Sequence, residues 1–370
     1  MGIYFNPDNI GFRMDTQNEI YVDKTGLLEI LNRRIGTSSN CIAVSHARRF
    51  GKSQAAGMID AYYSRGTDSA DLFSGLKISR SADFSRHLNR YNVIHLDISS
   101  FTDFYRDNLI AKLTEYLYDE FRAVYPGLDY SKKLNAVLST IAVESGARFV
   151  IIIDEWDCVI RNMSDAPELV HEYLQLLHSL FKSEEARSFL ALGYITGILP
   201  IKKVTDESAL NNFQEYTMLE SDELTPYFGF TQDEVKQLCT EYQMDFESVR
   251  KWYDGYKISG EEIYNPNSVC SAMLRHRLDS YWKNTSAFGT INTYITMNYD
   301  GLKDDVLTML SGGRVRVNAK KFQNDLSIIN SKDDVLTALI HLGYLAYTDG
   351  KAYIPNYEVA KLFSAALKGG

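Results

Sequence analysis

The sequence predicts an α/β fold: a three-layer arrangement around a parallel sheet, then a mainly helical region and a winged-helix-like C-terminal module. Three observations carry this expectation. Over residues 1–200, short apolar runs alternate with helix-like stretches, the pattern of parallel strands buried on both faces. One run feeds a loop ending in Gly51-Lys52-Ser53, and another ends in Asp154-Glu155. Beyond about residue 220 the alternation gives way to aromatic-rich segments, capped helices and a hairpin. The expected division is 1–220, 221–300 and 301–370, since a single core usually stops growing near ~250–300 residues.

The elements follow in order. Residues 42–45 are a short apolar strand entering a loop, and 54–63 read as the helix after it. Residues 93–97 form a second strand, and 108–124 a helix with apolar residues at helical spacing. Residues 149–153 are a continuous apolar run, 169–182 a helix, and 189–196 a fourth strand. Thr231 and Glu234 form a capping box opening a helix through Leu238. Trp252-Tyr253-Asp254-Gly255-Tyr256 and Tyr264-Asn265-Pro266 read as aromatic-rich turns. Ser331, with Asp334 at the third position, caps a helix whose apolar face is Val335, Leu336, Leu339 and Ile340, with Gly343 closing it. Residues 344–347 and 352–354 flank Asp349-Gly350, a hairpin signal.

Composition excludes several classes. Hydrophobic residues make up 45% and charged residues 24%, ordinary for a globular protein and unlike a disordered chain. The aliphatic run Val150–Ile153 is far short of the ~20 residues that span a bilayer. Residues 1–15 lack a basic start followed by an apolar run, so no secretory signal is expected, and Asn6 argues against an N-terminal myristoyl anchor. The formal net charge is −9, so nucleic acid would need a local basic patch. Arg314, Arg316, Lys320 and Lys321 are the weak candidate. Cys41, Cys158, Cys239 and Cys270 show no metal-ligand spacing, which fits a reduced, cytoplasmic protein. His171 and His178 lack the neighbours a zinc site needs.

The chemistry concentrates in two places. A loop between strand and helix points backbone N–H groups at an anion, and the helix dipole adds to the attraction. Within His46-Ala47-Arg48-Arg49-Phe50-Gly51-Lys52-Ser53, Gly51 admits a phosphate, Lys52 reaches the β- and γ-phosphates, and the Ser53 hydroxyl binds Mg²⁺. Arg48, Arg49, Phe50 and Gln54 complete the expected nucleotide-binding set. His46 occupies the place of the usual first glycine, so the motif by itself is imperfect. Its partner is the run ending in Asp154, placed to hold Mg²⁺, with Glu155 placed to polarise an attacking water. Asp157 reads as structural. Thr196, ending the next strand, is expected to sense the γ-phosphate, and Lys203 (or Lys202) to stabilise transition-state charge. Asp97 either neighbours the metal or pairs with an arginine.

Taken together, Tyr21-Val22-Asp23-Lys24-Thr25, Arg48-Arg49-Phe50-Gly51-Lys52-Ser53 and Ile153-Asp154-Glu155-Trp156-Asp157 resemble the bacterial AAA-ATPase-like proteins. The resemblance continues through Thr196-Gly197-Ile198, Lys203, Ser208, Leu210-Asn211-Asn212, Phe228-Gly229-Phe230-Thr231, Trp252 to Tyr256, Tyr264-Asn265-Pro266, Ser268-Val269, Tyr281-Trp282, Thr285, Gly343-Tyr344-Leu345, Ile354-Pro355-Asn356 and Glu358-Val359. It implies a P-loop NTPase of the additional-strand, catalytic-glutamate division. The family loop usually carries arginine and proline where His46 and Ala47 stand. Many relatives continue into a restriction-endonuclease-like nuclease; Glu234-Val235-Lys236 looks superficially like its Glu-x-Lys but lies on the capped helix, so no nuclease site is assigned.

The leading expectation is a Mg²⁺-dependent ATPase that uses hydrolysis as a conformational switch. The alternatives are a non-hydrolysing nucleotide-binding scaffold and a DNA-binding adaptor working through the C-terminal module. A homo-oligomer or a protein partner is compatible with either. No base-reading Asn-Lys-x-Asp motif is present, so ATP and GTP are not distinguished.

Overall fold

The computed structural model describes residues 2–163, 165–201, 210–282, 289, 293, 295, 298–319 and 331–368. The chain divides into two compact units, one holding Met1–Val44 and Lys52–Glu215, the other Ser45–Gly51 and Tyr216–Gly370.

The first unit is built on the expected sheet. Strands β1 (Cys41–Ser45), β2 (Asn92–Asp97), β3 (Phe149–Asp154), β4 (Leu190–Gly197) and β5 (Gln214–Thr217) lie in the order β2-β3-β4-β1-β5. Strand β3 pairs in parallel with β2 and with β4. β4 thus lies between the loop-bearing β1 and the acidic β3, the additional strand expected of this division. Every residue of β1, β3 and β4 is buried, which explains why they read as unbroken apolar runs instead of alternating ones. The register sets Asp97 opposite Asp154, so the carboxyl ends of β2 and β3 share one edge of the sheet.

Helices pack on this sheet. Lys52–Tyr63 begins at Lys52, not at residue 54 as the sequence suggests, because Gly51 at φ +88° turns the chain straight into its first turn. Leu109–Val124 and Pro167–Phe181 fall close to the expected bounds. Leu134–Ser145 was not expected. Its Ser, Thr and Val residues weaken the helical signal, yet Leu134, Val137, Leu138 and Ile141 form one buried stripe, and Gly146 at φ +65° ends it.

The second unit contains two three-stranded antiparallel sheets. Strands β6 (Phe230–Thr231), β7 (Tyr256–Ile258) and β8 (Glu261–Tyr264) lie in the order β6-β8-β7. Strands β9 (Val315–Arg316), β10 (Ala346–Thr348) and β11 (Lys351–Tyr353) lie in the order β10-β11-β9. The capping box of Thr231 and Glu234 is formed at the start of Gln232–Glu241, which also places Glu234-Val235-Lys236 on a helix. Ser331 caps Lys332–His341, and Asp349 and Gly350 both take positive φ at the hairpin tip. The winged-helix arrangement itself stays an expectation from the sequence.

The aromatic segments read as turns are instead element ends. Trp252 and Tyr253 close the helix Phe246–Tyr253, and Tyr256 opens β7. Tyr264 closes β8, and Asn265 caps Pro266–Arg275, with Pro266 at its first position. Only Asp254-Gly255 makes a turn. Gly255 takes φ +108°, and a Cβ there would lie 2.0 Å from the Pro355 carbonyl oxygen. Gly255→Ala is therefore expected to cost at least about 2 kcal/mol of stability, read as a lower urea midpoint at unchanged slope.

Among the described residues no helix is long and apolar enough to cross a membrane. Of the basic cluster, Arg314 stacks over the Tyr353 ring, 4.4 Å from its centroid. Lys320 and Lys321 lie outside the described residues, as do Lys202, Lys203, Ser208 and Thr285.

Candidate nucleotide site

The carboxyl edge of the sheet gathers the acids. Asp154 ends β3 and is buried. Its Oδ1 accepts the Glu155 N–H at 3.0 Å and a short hydrogen bond from the Thr196 hydroxyl at the end of β4. Among the described residues no hydrogen bond falls on Oδ2. Glu155 then takes φ +52°, a left-handed turn uncommon outside glycine. The turn is held by the Trp156 N–H, which donates to the Thr196 carbonyl at 2.9 Å. It redirects the chain into the short helix Cys158–Asn162.

That helix contributes a residue the sequence reading missed. Arg161 donates from Nη2 to Glu155 Oε2 and from Nε to Asp157 Oδ2, both at 2.8 Å. Burial opposes its charge, but Asp157 and Glu155 outweigh burial and hold the guanidinium above its ordinary value. Asp157 Oδ2 also accepts the N–H groups of Ile198 at 3.2 Å and Leu199 at 2.9 Å. Asp157 thereby ties the post-β3 turn to the chain after β4. The available signal was the four-residue spacing of Asp157 and Arg161, which puts them on one helical face.

Lys52 opens its helix and is buried. Burial pushes its ammonium below the ordinary lysine value, offset in part by Glu155, Asp154 and Asp157. Burial likewise pushes the Glu155 carboxyl up, with Lys52 and Arg161 pulling it back. The structure therefore brings Lys52, Asp154, Glu155 and Thr196 into one electrostatic neighbourhood. Ser53 follows in the first turn of the helix and is exposed. Among the described residues no arginine pairs with Asp97; its Oδ1 caps the helix Ile98–Phe104 through Ser99, accepting from N at 2.9 Å and from Oγ at 2.6 Å. Asp23 is a local brace, accepting from Thr25 N–H, the Thr25 hydroxyl and Lys77 N–H. Gln54 is exposed; burial pushes the Asp15 carboxyl up, and Gln54 pulls it back in part.

The loop before Lys52 is shaped by two left-handed residues, Arg49 at φ +70° and Gly51 at φ +88°. Arg48 and Arg49 are exposed, whereas His46, Ala47 and Phe50 are buried. His46 Nε2 is 2.6 Å from the Ser221 hydroxyl. In this chain the residue in place of the family's arginine is therefore a packed histidine.

The family described as Predicted AAA-ATPase matches residues 12–205. The chain belongs to this family. The matched region of this AAA-ATPase-like protein takes in the loop, the acids after β3 and Thr196. An uncharacterized protein encoded in the vnfD 5′ region of Azotobacter chroococcum is 26% identical over 276 residues, covering 72% of this chain and 50% of the relative. The chain thus spans about half the length of that curated relative. Among solved structures, the Walker-type ATPase paby2304 of Pyrococcus abyssi superposes with a TM-score of 0.43 at 15% identity, covering 92% of this chain and 94% of that one. The Aeropyrum pernix ORC2 protein gives 0.40 at 12% identity, covering 95% and 97%.

Magnesium takes oxygen ligands and keeps several waters, needing few groups from the protein. Asp154 Oδ2, which accepts no hydrogen bond among the described residues, and the hydroxyl of the exposed Ser53 in this AAA-ATPase-like chain are oxygens of that kind. The described residues contain no group of three or more His, Cys, Asp or Glu side chains that would hold a metal unaided.

Proposed function

We propose that the chain binds MgATP and hydrolyses it to ADP and phosphate, using the cycle as a conformational switch. Family membership and the strand order support nucleotide binding at this edge of the sheet. One observation carries the finer reading: Lys52, Asp154, Glu155 and Thr196, from three separate elements, converge at the carboxyl edge of the sheet.

Each side chain then has a task. The loop N–H groups and Lys52 hold the phosphate tail, Ser53 and Asp154 Oδ2 hold Mg²⁺, and Thr196 orients Asp154. Bound Mg²⁺ would neutralise charge on the phosphates. Glu155 takes a proton from the attacking water. Its Oε2 is engaged by Arg161, while Oε1 accepts no hydrogen bond among the described residues, so Oε1 is the proton acceptor. The raised affinity for a proton that burial gives Glu155 favours a base over a spectator carboxylate. Lys203 is proposed to add positive charge in the transition state.

Lys52→Ala is expected to weaken MgATP binding by at least about tenfold, since a buried charge-assisted contact is lost. Titration calorimetry with the full chain checks this; unchanged affinity would sink the reading. The non-hydrolysing scaffold is a second reading, and the ion pair between Glu155 and Arg161 favours it, because a paired carboxylate is a weaker base. We also propose a cytoplasmic protein, a functional division of the second unit near residue 300, and a protein partner or self-association as the recipient of the switch.

A further inference from the structure

The nucleotide chemistry leaves most of the motifs after residue 220 without a task. Their placement supplies one, because the loop Ser45–Gly51 groups with residues 216–370 and not with the strand and helix it connects. We propose that the second unit is a seat for the phosphate-binding loop, with Glu358 as its positioning residue, and that nucleotide at the loop is read out through Tyr281–Trp282 and the helix Tyr357–Lys368. This rests on the nucleotide-binding reading above for its second half only.

The loop is held residue by residue. Ala47 lies flat on Gly343, where a Cβ would come within 2.6 Å of the Ala47 Cβ and 2.9 Å of Trp282. The Gly343 carbonyl accepts the Tyr256 hydroxyl at 2.7 Å, and the Tyr256 ring meets Phe50 edge-on with centroids 5.4 Å apart. The Phe50 carbonyl accepts the Gly229 N–H at 3.0 Å. Arg49 Nη1 donates to the Tyr281 carbonyl at 3.0 Å. Both flanks of the loop and its arginine are therefore engaged by residues of the aromatic and glycine motifs.

Glu358 underlies this arrangement. It is buried on the helix Tyr357–Lys368, and its Oε1 accepts the N–H groups of Tyr281 at 2.5 Å and Trp282 at 2.8 Å. One carboxylate oxygen thus fixes the peptide whose carbonyl receives Arg49; burial pushes the Glu358 carboxyl up, and Ser268, the two amides and the Arg49 charge pull it back only in part. A guanidinium has five N–H donors. Arg49 is exposed and can offer the others to a phosphate oxygen, so an anion at the loop competes for or shares the group that grips Tyr281. Loop occupancy and the position of residues 281–282 are then coupled through a single side chain.

The test is hydrogen exchange on the full chain, with and without MgATP, beside nucleotide affinity and turnover. Without nucleotide, Glu358→Gln should speed exchange in residues 45–51 by about fivefold, the difference between a charged and a neutral hydrogen bond, while β3 stays as protected as in the parent. Unchanged exchange in the loop overturns the seat. MgATP should alter exchange at 281–282 and 357–363 in the parent; Glu358→Gln should abolish that response and raise KM about three- to tenfold at unaltered kcat. A response confined to the loop, or a variant with parental KM, overturns the coupling. If Glu358→Gln melts far below the parent, the exposed Arg49→Gln replaces it: exchange at Tyr281 and Trp282 should rise without nucleotide, and no rise overturns the proposal. A parent chain that binds no nucleotide defeats both the coupling and the functional reading. The exchange comparison without nucleotide still decides whether the seat exists.

Discussion

Glu155→Gln is expected to lower ATP turnover by about 10²–10³-fold, the usual weight of a positioned general base, with MgATP affinity nearly unchanged. Glutamine keeps the length and an oxygen that can accept from Arg161 Nη2, so the turn at φ +52° and that hydrogen bond have little reason to shift, although the ion pair is lost. What it loses is the ability to take a proton. Burial makes that ability larger than for a surface glutamate, against the pull of Lys52 and Arg161. Single-turnover phosphate release, with binding measured in parallel, separates the two quantities. Equal turnover in parent and variant would remove Glu155 from the chemistry and leave the non-hydrolysing scaffold as the better description.

Asp157→Ala is expected to cost about 3–5 kcal/mol of folding stability, because it strips one partner from a buried ion pair. The parent carboxylate has no exposed surface and accepts from Arg161 and from two backbone N–H groups. Alanine would leave the mostly buried guanidinium with Glu155 alone and both amides unmet. Space around the site is tight: a Cβ on Gly197 would fall 2.7 Å from Asp157 Oδ1. Asp157→Asn retains one carbonyl acceptor and should lose less. Urea unfolding at constant slope measures both, and a loss under about 1 kcal/mol for alanine would show that water replaces the carboxylate easily.

Much of the first unit was legible because its signals are local. Residues 149–154 are unbroken apolar residues closed by an acid, a pattern that a strand covered on both faces produces. Lys52 was legible from Gly51-Lys52-Ser53 between strand and helix. Arg161 was not, since its pairing with Glu155 depends on a left-handed turn at a residue type that gives no hint of one. Tyr264-Asn265-Pro266 was visible but misread: asparagine before proline is a helix start as well as a turn, and only the pairing of β8 decides between them. The seat of the loop was hidden for a further reason. Ala47 meets Gly343, and Arg49 meets Tyr281, across sequence separations at which no periodicity carries information.

The grouping of Ser45–Gly51 with the C-terminal half bears on how the protein can be dissected. A fragment ending at Glu215 would retain the lysine, the acids and the sheet, and by sequence would pass for a self-sufficient enzyme. It would nonetheless lack the residues that surround its loop Ser45–Gly51, from Ser221 through Tyr281 to Gly343. Trimming the chain there strips that loop of the residues packed on it, and the nucleotide affinity of such a fragment would not report that of the 370-residue chain.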